Sequence, residues 1–184
     1  MSDPLAPVDR LTVQVVVDNV TDSLSTVPQG VMHETACLAE HGMHEVSGEA
    51  LCCAHWGLSL AITVERAGQR RAVIFDGGPE DYAVERNAAR LGVDFGTVEA
   101  IVLSHGHWDH AGGLPAALRA VVAARGPGVE FHVHPQMFRQ RAFALPGGRV
   151  LPFKPIPQVA DLEALGARVV VSRQAQALLG GAVY

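Results

Sequence analysis

Four side chains that can bind metal ions lie within six consecutive positions, in the stretch His105-Gly106-His107-Trp108-Asp109-His110. Neutral imidazoles and a carboxylate suit Zn²⁺, and imidazole also suits iron. Alternate residues His105 and His107 can point to one side and share one ion, while Asp109 and His110 can turn toward a second ion or hold a water. Crowding these polar groups beside apolar residues without a cation would raise the free energy of the folded chain. The spacing therefore predicts a metal site rather than a solvated histidine-rich turn.

Such a site would support attack by an activated water. A bound metal lowers the pKa of water from about 15.7 to about 7, which provides hydroxide at neutral pH. Asp109 is the candidate catalytic residue, because it would orient that water or take its proton. We expect one or two zinc ions, with iron or manganese as alternatives. Gly106, Gly112 and Gly113 are expected to let the backbone turn tightly around the site.

Strands alternating with helices must position this loop, and an apolar stretch at 98–103 runs directly into it. Period-two and helical patterns predict the following elements: a buried strand at 11–17, a hairpin of strands 58–65 and 71–75 turning at Ala67-Gly68, a helix at 82–91, a strand at 98–103, a helix at 114–124, a strand at 129–133, a short helix at 162–165 and a last strand at 168–171. This order predicts an α/β layered domain.

The segment 21–56 is predicted to be an irregular loop insertion. It contains Pro28, Gly30, Gly42 and Gly48, and a loop of this length in a compact domain is usually functional or mobile. We expect it to form a flap over the metal edge that brings His55, near its end, toward the site.

Composition narrows the class of protein. The 184 residues are 48% hydrophobic and 18% charged, which is typical of a globular domain, and the net charge of −5 argues against nucleic acid or an anionic membrane surface as a partner. The first residues lack the pattern of a signal peptide, and no apolar run approaches the ~20 residues of a membrane span. Cys37, Cys52 and Cys53 are expected to be reduced thiols, so we expect a cytoplasmic protein. The oligomeric state is left open.

The histidine-rich loop is similar to the signature loop of the metallo-β-lactamase superfamily. Further stretches resemble one branch of it, labelled 7,8-dihydropterin-6-yl-methyl-4-(β-D-ribofuranosyl)aminobenzene 5′-phosphate synthase-like; they lie at 16–22, 52–60, 74–78 and 133–135. The resemblance implies a four-layer αββα sandwich with metals at one edge of the two sheets.

The resemblance also assigns roles to residues. His105 and His107 would bind the first metal, and Asp109 and His110 the second. Asp76 matches an aspartate that supports the metal loop through hydrogen bonds. His55 matches the position of a histidine–glycine pair, with Trp56 inserted here, and would lie near the site. His134, at the end of a predicted strand that also carries His132, would line the pocket.

The chain departs from the family after His134. No histidine follows, and the only acidic residues there are Asp161 and Glu163, whereas the family takes further ligands from later segments. We therefore expect residues 1–184 to form one metallo-β-lactamase-like domain that is the N-terminal half of the sandwich, incomplete at its C-terminus. Two hypotheses follow: a zinc-dependent hydrolase or related lyase-type enzyme acting on a small phosphorylated, cyclic or lactone-like substrate, or an inactive truncated fragment that keeps only the metal-binding loop.

Overall fold

A six-stranded mixed sheet forms the centre of the protein, as a computed structural model of the chain shows for residues 5–184. Its strand order is β1-β2-β3-β4-β5-β8, antiparallel from β1 to β3 and parallel from β3 to β8. A separate two-stranded sheet pairs β6 with β7. The strands are β1 (Arg10–Val17), β2 (Ser59–Arg66), β3 (Gln69–Phe75), β4 (Val98–Val102), β5 (Val129–Val133), β6 (Ala142–Ala144), β7 (Val150–Pro152) and β8 (Ala167–Val171).

One face of the sheet is covered by helices. Ile74, Ile101 and Phe131 stand in register on β3, β4 and β5 and are at most 2% exposed. Leu118 and Val121 of the apolar helix α4 join them in one core, and α2 packs beside α4. The helices are α1 (Glu34–Glu40), α2 (Asp81–Arg90), α3 (Trp108–Ala111), α4 (Leu114–Arg125) and α5 (Val159–Ala164), with a 3₁₀ turn at Phe95–Thr97.

The opposite face of the sheet is covered only in part. Val64, Val73 and Ala100 form a second buried cluster with Leu178 and Leu179 of the C-terminal segment. At the edge of the sheet, apolar side chains of β1 remain exposed: Leu11 58%, Val13 51% and Val15 49%. The prediction of a buried strand at 11–17 is therefore wrong for most of its length. The strand has a neighbour on one side only, and nothing in the described chain covers these side chains.

The α/β class and most elements are confirmed. The predicted hairpin joins β2 to β3, and its turn residues Ala67 and Gly68 have φ of 50° and 76°, the positive values that a two-residue hairpin turn requires. Segment 21–56 is less irregular than predicted, since it contains α1. The β6–β7 hairpin was not predicted, because its strands have only three residues each. Among the described residues, none of the helices has the length and apolar character needed to cross a membrane.

Candidate metal centre

The predicted site residues come together because β3, β4 and β5 are parallel. The carboxyl ends of neighbouring parallel strands open at the same edge of a sheet. Asp76 follows β3, the loop 104–110 follows β4, and His134 follows β5. Asp76, the loop 104–110 and His134 therefore lie at the same edge of the sheet.

Asp76 is the best-fixed of these residues. It is fully buried and has a φ of 59°, a left-handed conformation that aspartate tolerates better than most residues. Its carboxylate accepts hydrogen bonds from the backbone N–H of Ser104 (2.7 Å), the hydroxyl of Ser104 (2.7 Å) and Nδ1 of His110 (2.7 Å). Its own N–H donates to the carbonyl of Val102. Asp76 thus lies after a strand and contacts the loop, as the sequence led us to expect; its role toward a metal stays a prediction.

The three loop histidines form a compact group of rings. The ring centroid of His105 lies 4.5 Å from that of His107 and 4.3 Å from that of His110. His110 uses Nδ1 toward Asp76, and Nδ1 of His105 lies 2.9 Å from the hydroxyl of Ser104. Because Nδ1 of His105 and Nδ1 of His110 are both engaged in these contacts, Nε2 is the ring nitrogen of each that remains free to bind a ligand.

Electrostatics keep His105 in the form that can bind a metal. Burial lowers the pKa of His105, and the neighbouring His110 and His107 imidazoles lower it further. The carboxylates of Asp76 and Asp109 act in the opposite direction but more weakly. A lowered pKa favours the neutral imidazole near pH 7, and neutral imidazole is the metal-binding form.

Asp109 lies at the start of α3, beside His110. Its Oδ2 is 3.8 Å from Nε2 of His110, and its side chain is 26% exposed, so it is open to a small molecule. Gly57 packs against the backbone of Asp109. The two are so close that a Cβ on residue 57 would overlap the carbonyl oxygen of Asp109. Close approach, together with a φ of 90°, requires glycine at position 57.

The donor set suits zinc in its chemistry, since it consists of three imidazoles and one carboxylate, and Asp76 orients one of the imidazoles, that of His110. Nevertheless, within residues 5–184 no group of three or more histidine, cysteine, aspartate or glutamate side chains is arranged so that it could hold a metal ion. The assignment of His105, His107, Asp109 and His110 as ligands therefore stays a prediction.

We predicted that glycine at positions 106, 112 and 113 allows tight turns of the backbone. The structure gives a different reason for Gly106. Gly112 and Gly113 have ordinary negative φ values of −65° and −93°, so free torsion is not what selects them. Gly106 is needed because a Cβ there would overlap the carbonyl oxygen of Met137. Arg141 fixes this approach, since its Nη1 donates to the carbonyls of both Gly106 (2.7 Å) and Met137 (2.8 Å). Steric fit between two loops therefore explains this glycine.

His55 and His134 lie at the same edge but make other contacts. Nε2 of His55 is 2.9 Å from Oε1 of Glu80, and its Nδ1 accepts the N–H of Trp56. His134 accepts the N–H of Gln136 at Nδ1 (3.2 Å) and borders a cavity of about 450 Å³ on the sheet face opposite the helices. His132 is buried beside it and pairs with Glu130 at 2.8 Å. The described contacts do not join His55 or His134 to the three loop rings, and their pocket roles stay predictions.

Sequence reasoning gave no role to the aromatic residues around the loop. The ring centroids of Trp56 and Trp108 are 6.5 Å apart, and the ring of Phe153 lies 5.8 Å from that of His107. A signal was present, because each tryptophan directly follows a histidine of interest, His55 or His107. Phe153, which follows β7, gave no comparable signal.

Comparison with known proteins places this edge in context. The chain is similar to 7,8-dihydropterin-6-methyl-4-(beta-D-ribofuranosyl)-aminobenzene-5'-phosphate synthase of Methanocaldococcus jannaschii, with 29% identity over 130 residues. The match covers 68% of this chain and 41% of that protein, so the chain spans about two fifths of the length of this relative.

Similar solved structures include metallo-β-lactamases. The MIM-1 enzyme from Novosphingobium pentaromativorans shares 24% identity, with a TM-score of 0.38 and coverage of 79% of this chain and 53% of that one. A putative metallo-β-lactamase from Thermotoga maritima shares 17% identity, with a TM-score of 0.32 and coverage of 68% and 44%. Assignment rests instead on the family model described as the metallo-beta-lactamase superfamily, which matches residues 56–177, more than half of the sequence. The chain belongs to the metallo-β-lactamase superfamily.

Proposed function

We propose that this protein is a metal-dependent hydrolase that uses an activated water on a small phosphorylated, cyclic or lactone-like substrate. Superfamily membership supports a hydrolase-like function. The observation that carries the proposal is the buried Asp76 carboxylate, which accepts a hydrogen bond from Nδ1 of His110 and two from Ser104. Histidines that bind metals commonly donate their other ring N–H to such a carboxylate.

In this proposal His105 and His107 hold one ion, and Asp109 and His110 hold a second or the water beside it. Bound zinc would supply hydroxide at neutral pH and polarise a carbonyl or phosphoryl oxygen. Imidazole and carboxylate groups also suit iron and manganese, so these residues alone do not select zinc over the other two metals.

The residues of the chain perform the remaining tasks. Asp76 fixes the tautomer and ring orientation of His110, so that Nε2 is left free to bind. Asp109, whose Oδ2 lies 3.8 Å from that Nε2, is placed to accept a proton from the attacking water. Gly57 packs against Asp109, and Arg141 donates a hydrogen bond to the carbonyl of Gly106. These two contacts restrict the movement of the loop that carries the proposed ligands.

Asp109→Asn is the direct test of this chemistry. We expect the zinc-loaded protein to hydrolyse a generic phosphodiester, bis(4-nitrophenyl) phosphate, or a simple lactone, and the substitution to lower turnover by about 10²–10⁴-fold, the usual contribution of a general base. Asp81→Asn is the matched control, since Asp81 is a partly exposed carboxylate that pairs with Arg119. Equal turnover by the two variants would refute the role of Asp109.

A second candidate is a protein that keeps the loop but holds no ion tightly. It is favoured by the observation that no described group of three or more ligands is arranged to hold a metal. A zinc titration distinguishes the two, because the hydrolase requires saturable binding of at least one ion per chain at the loop. The reaction named for the Methanocaldococcus relative is not part of the proposal, as the chain spans 41% of that protein.

A further inference from the structure

Aromatic side chains lie close together beside the histidine loop at 105–110, where Trp56 is exposed and Trp108 is half-buried. The chain has only two tryptophans, and both are here, with ring centroids 6.5 Å apart and ring planes inclined at 44°. Trp56 is 68% exposed although it is the largest side chain type. An exposed tryptophan carries a large apolar surface that favours contact with another molecule.

The backbone of Trp56 is held next to the loop. Its N–H donates to Nδ1 of His55 at 2.8 Å, and the next residue, Gly57, packs against the carbonyl of Asp109 without room for a Cβ. Trp108 lies between the proposed ligands His107 and Asp109. The backbone positions that carry the two indoles are therefore fixed at the loop.

A second aromatic pair reaches the same loop from the β6–β7 hairpin. Phe153 packs edge-to-face on His107, with ring centroids 5.8 Å apart and planes at 84°, and Phe143 lies 4.6 Å from Phe153. Phe143 is 56% exposed. The sequence contains six phenylalanines, two tryptophans and two tyrosines, so four of these ten residues belong to the two pairs.

We propose that Trp56 and Trp108 bind a planar aromatic or heteroaromatic ring of the substrate and so determine specificity at the metal loop. This inference rests on the proposed function, because it names the substrate class of the same site. Aromatic rings pack favourably in offset or tilted arrangements at centroid distances of about 4.5–7 Å, and a ring bound against Trp56 would meet these conditions. A cationic ligand could also face an indole ring, but it would be repelled by a metal ion in the adjacent loop.

The test compares two ligands that differ only in the ring. Dissociation constants of phenyl phosphate and cyclohexyl phosphate are measured by ligand-observed NMR, with zinc and without it, and the ratio of the two constants is the readout. We expect phenyl phosphate to bind about tenfold more tightly, which corresponds to ~1.4 kcal/mol. It should also quench tryptophan emission, which reports only on this site.

Trp56→Ala should bring the ratio close to one, whereas Trp56→Phe should keep most of it. Tyr184→Ala is the control, since Tyr184 is another exposed aromatic residue, at 51%, that borders the cavity on the opposite sheet face. Equal affinity for the two phosphates in the unmodified protein would overturn the inference. So would self-association that Trp56→Ala removes without any ring preference, because the indoles would then form a protein interface.

The zinc-free arm separates this inference from the proposed function. If zinc fails to bind but the ring preference persists and depends on Trp56, the proposed hydrolase is refuted and the aromatic subsite stands. If zinc binds at the loop and the ratio is one, the aromatic subsite is refuted and the hydrolase stands.

Discussion

At the scale of single residues, Asp76 connects the fold to the proposed chemistry. Its buried carboxylate joins the end of β3 to the loop after β4, through Ser104 and His110. Because Nδ1 of His110 meets a carboxylate that can only accept a hydrogen bond, that nitrogen must carry the proton. The lone pair is then on Nε2. One buried carboxylate thus decides which atom of His110 is free to bind.

Asp76→Asn tests this arrangement. The amide has nearly the shape of the carboxylate, but its NH₂ group would face Nδ1 of His110 and favour the other tautomer, with the proton on Nε2. We expect the fold to be kept and zinc affinity to fall by about 10–100-fold, measured by competition with a chromophoric chelator. Asp81→Asn, at a partly exposed pair with Arg119, should leave zinc affinity unchanged. A loss of affinity no greater than that of the control would contradict the assignment.

At the scale of elements, the sequence predicted what depends on local pattern. The hairpin at Ala67-Gly68, the strand at Val129–Val133 and the position of the loop after an apolar strand follow from side-chain periodicity and turn chemistry. The exposure of β1 could not be predicted, because Leu11, Val13 and Val15 have the composition of a buried strand, and only the sheet order places them at an edge. Contacts between distant segments, such as Gly57 with Asp109, leave no periodic signal.

An ion pair between neighbouring strands gives a prediction on pH. Arg71 of β3 donates from Nε and Nη2 to Glu99 of β4 at 2.8 and 2.6 Å. The Arg71 guanidinium holds the pKa of Glu99 below its ordinary value, so the unfolded chain binds a proton more readily. The stabilisation is therefore present above the ordinary glutamate pKa of about 4.3 and is lost as pH falls through the lower folded value.

Urea unfolding of Glu99→Gln checks this pair. Both side chains are about one-third exposed, at 35% and 32%, so we expect a modest loss of about 1 kcal/mol at pH 7. The difference from the unmodified protein should shrink toward zero below the folded pKa. Glu65→Gln removes a longer pair with Arg70, at 3.5 Å, and should cost less. A Glu99→Gln cost that is equal at neutral and acid pH would contradict the electrostatic explanation.

The segment between β1 and β2 should open in two stages. Residues 18–32 are all exposed and contain no helix or strand. By contrast, the buried side chain of Asn87 accepts the N–H of Cys53 at 2.9 Å and donates to the carbonyls of Cys53 and Val16. Hydrogen exchange should therefore be fast at 18–32 and slow at Cys53 and in β1. Equal protection across 18–32 and β1 would argue against a mobile flap.

At the scale of the whole molecule, the uncovered part of the sheet is expected to determine whether the protein self-associates. β1 presents a free edge together with exposed Leu11, Val13 and Val15, a combination that favours edge-to-edge association. We expect the 184-residue chain to self-associate at micromolar concentrations. Val13→Lys should raise the monomer fraction in light scattering, whereas Thr12→Lys, at the adjacent exposed position on the other face, should have a smaller effect. A monomer at all concentrations would contradict this expectation.

The proposed chemistry depends on zinc binding at the loop, which a zinc titration with chelator competition measures. We expect saturable binding, weak because His105 with His107 and Asp109 with His110 supply only two protein ligands to each ion, where a catalytic zinc normally has three. Binding should disappear in His107→Ala and persist in His44→Ala, which removes an exposed histidine from the 21–56 segment. If the unmodified chain binds no more zinc than His107→Ala, the loop is not a metal site and the proposed hydrolase is refuted.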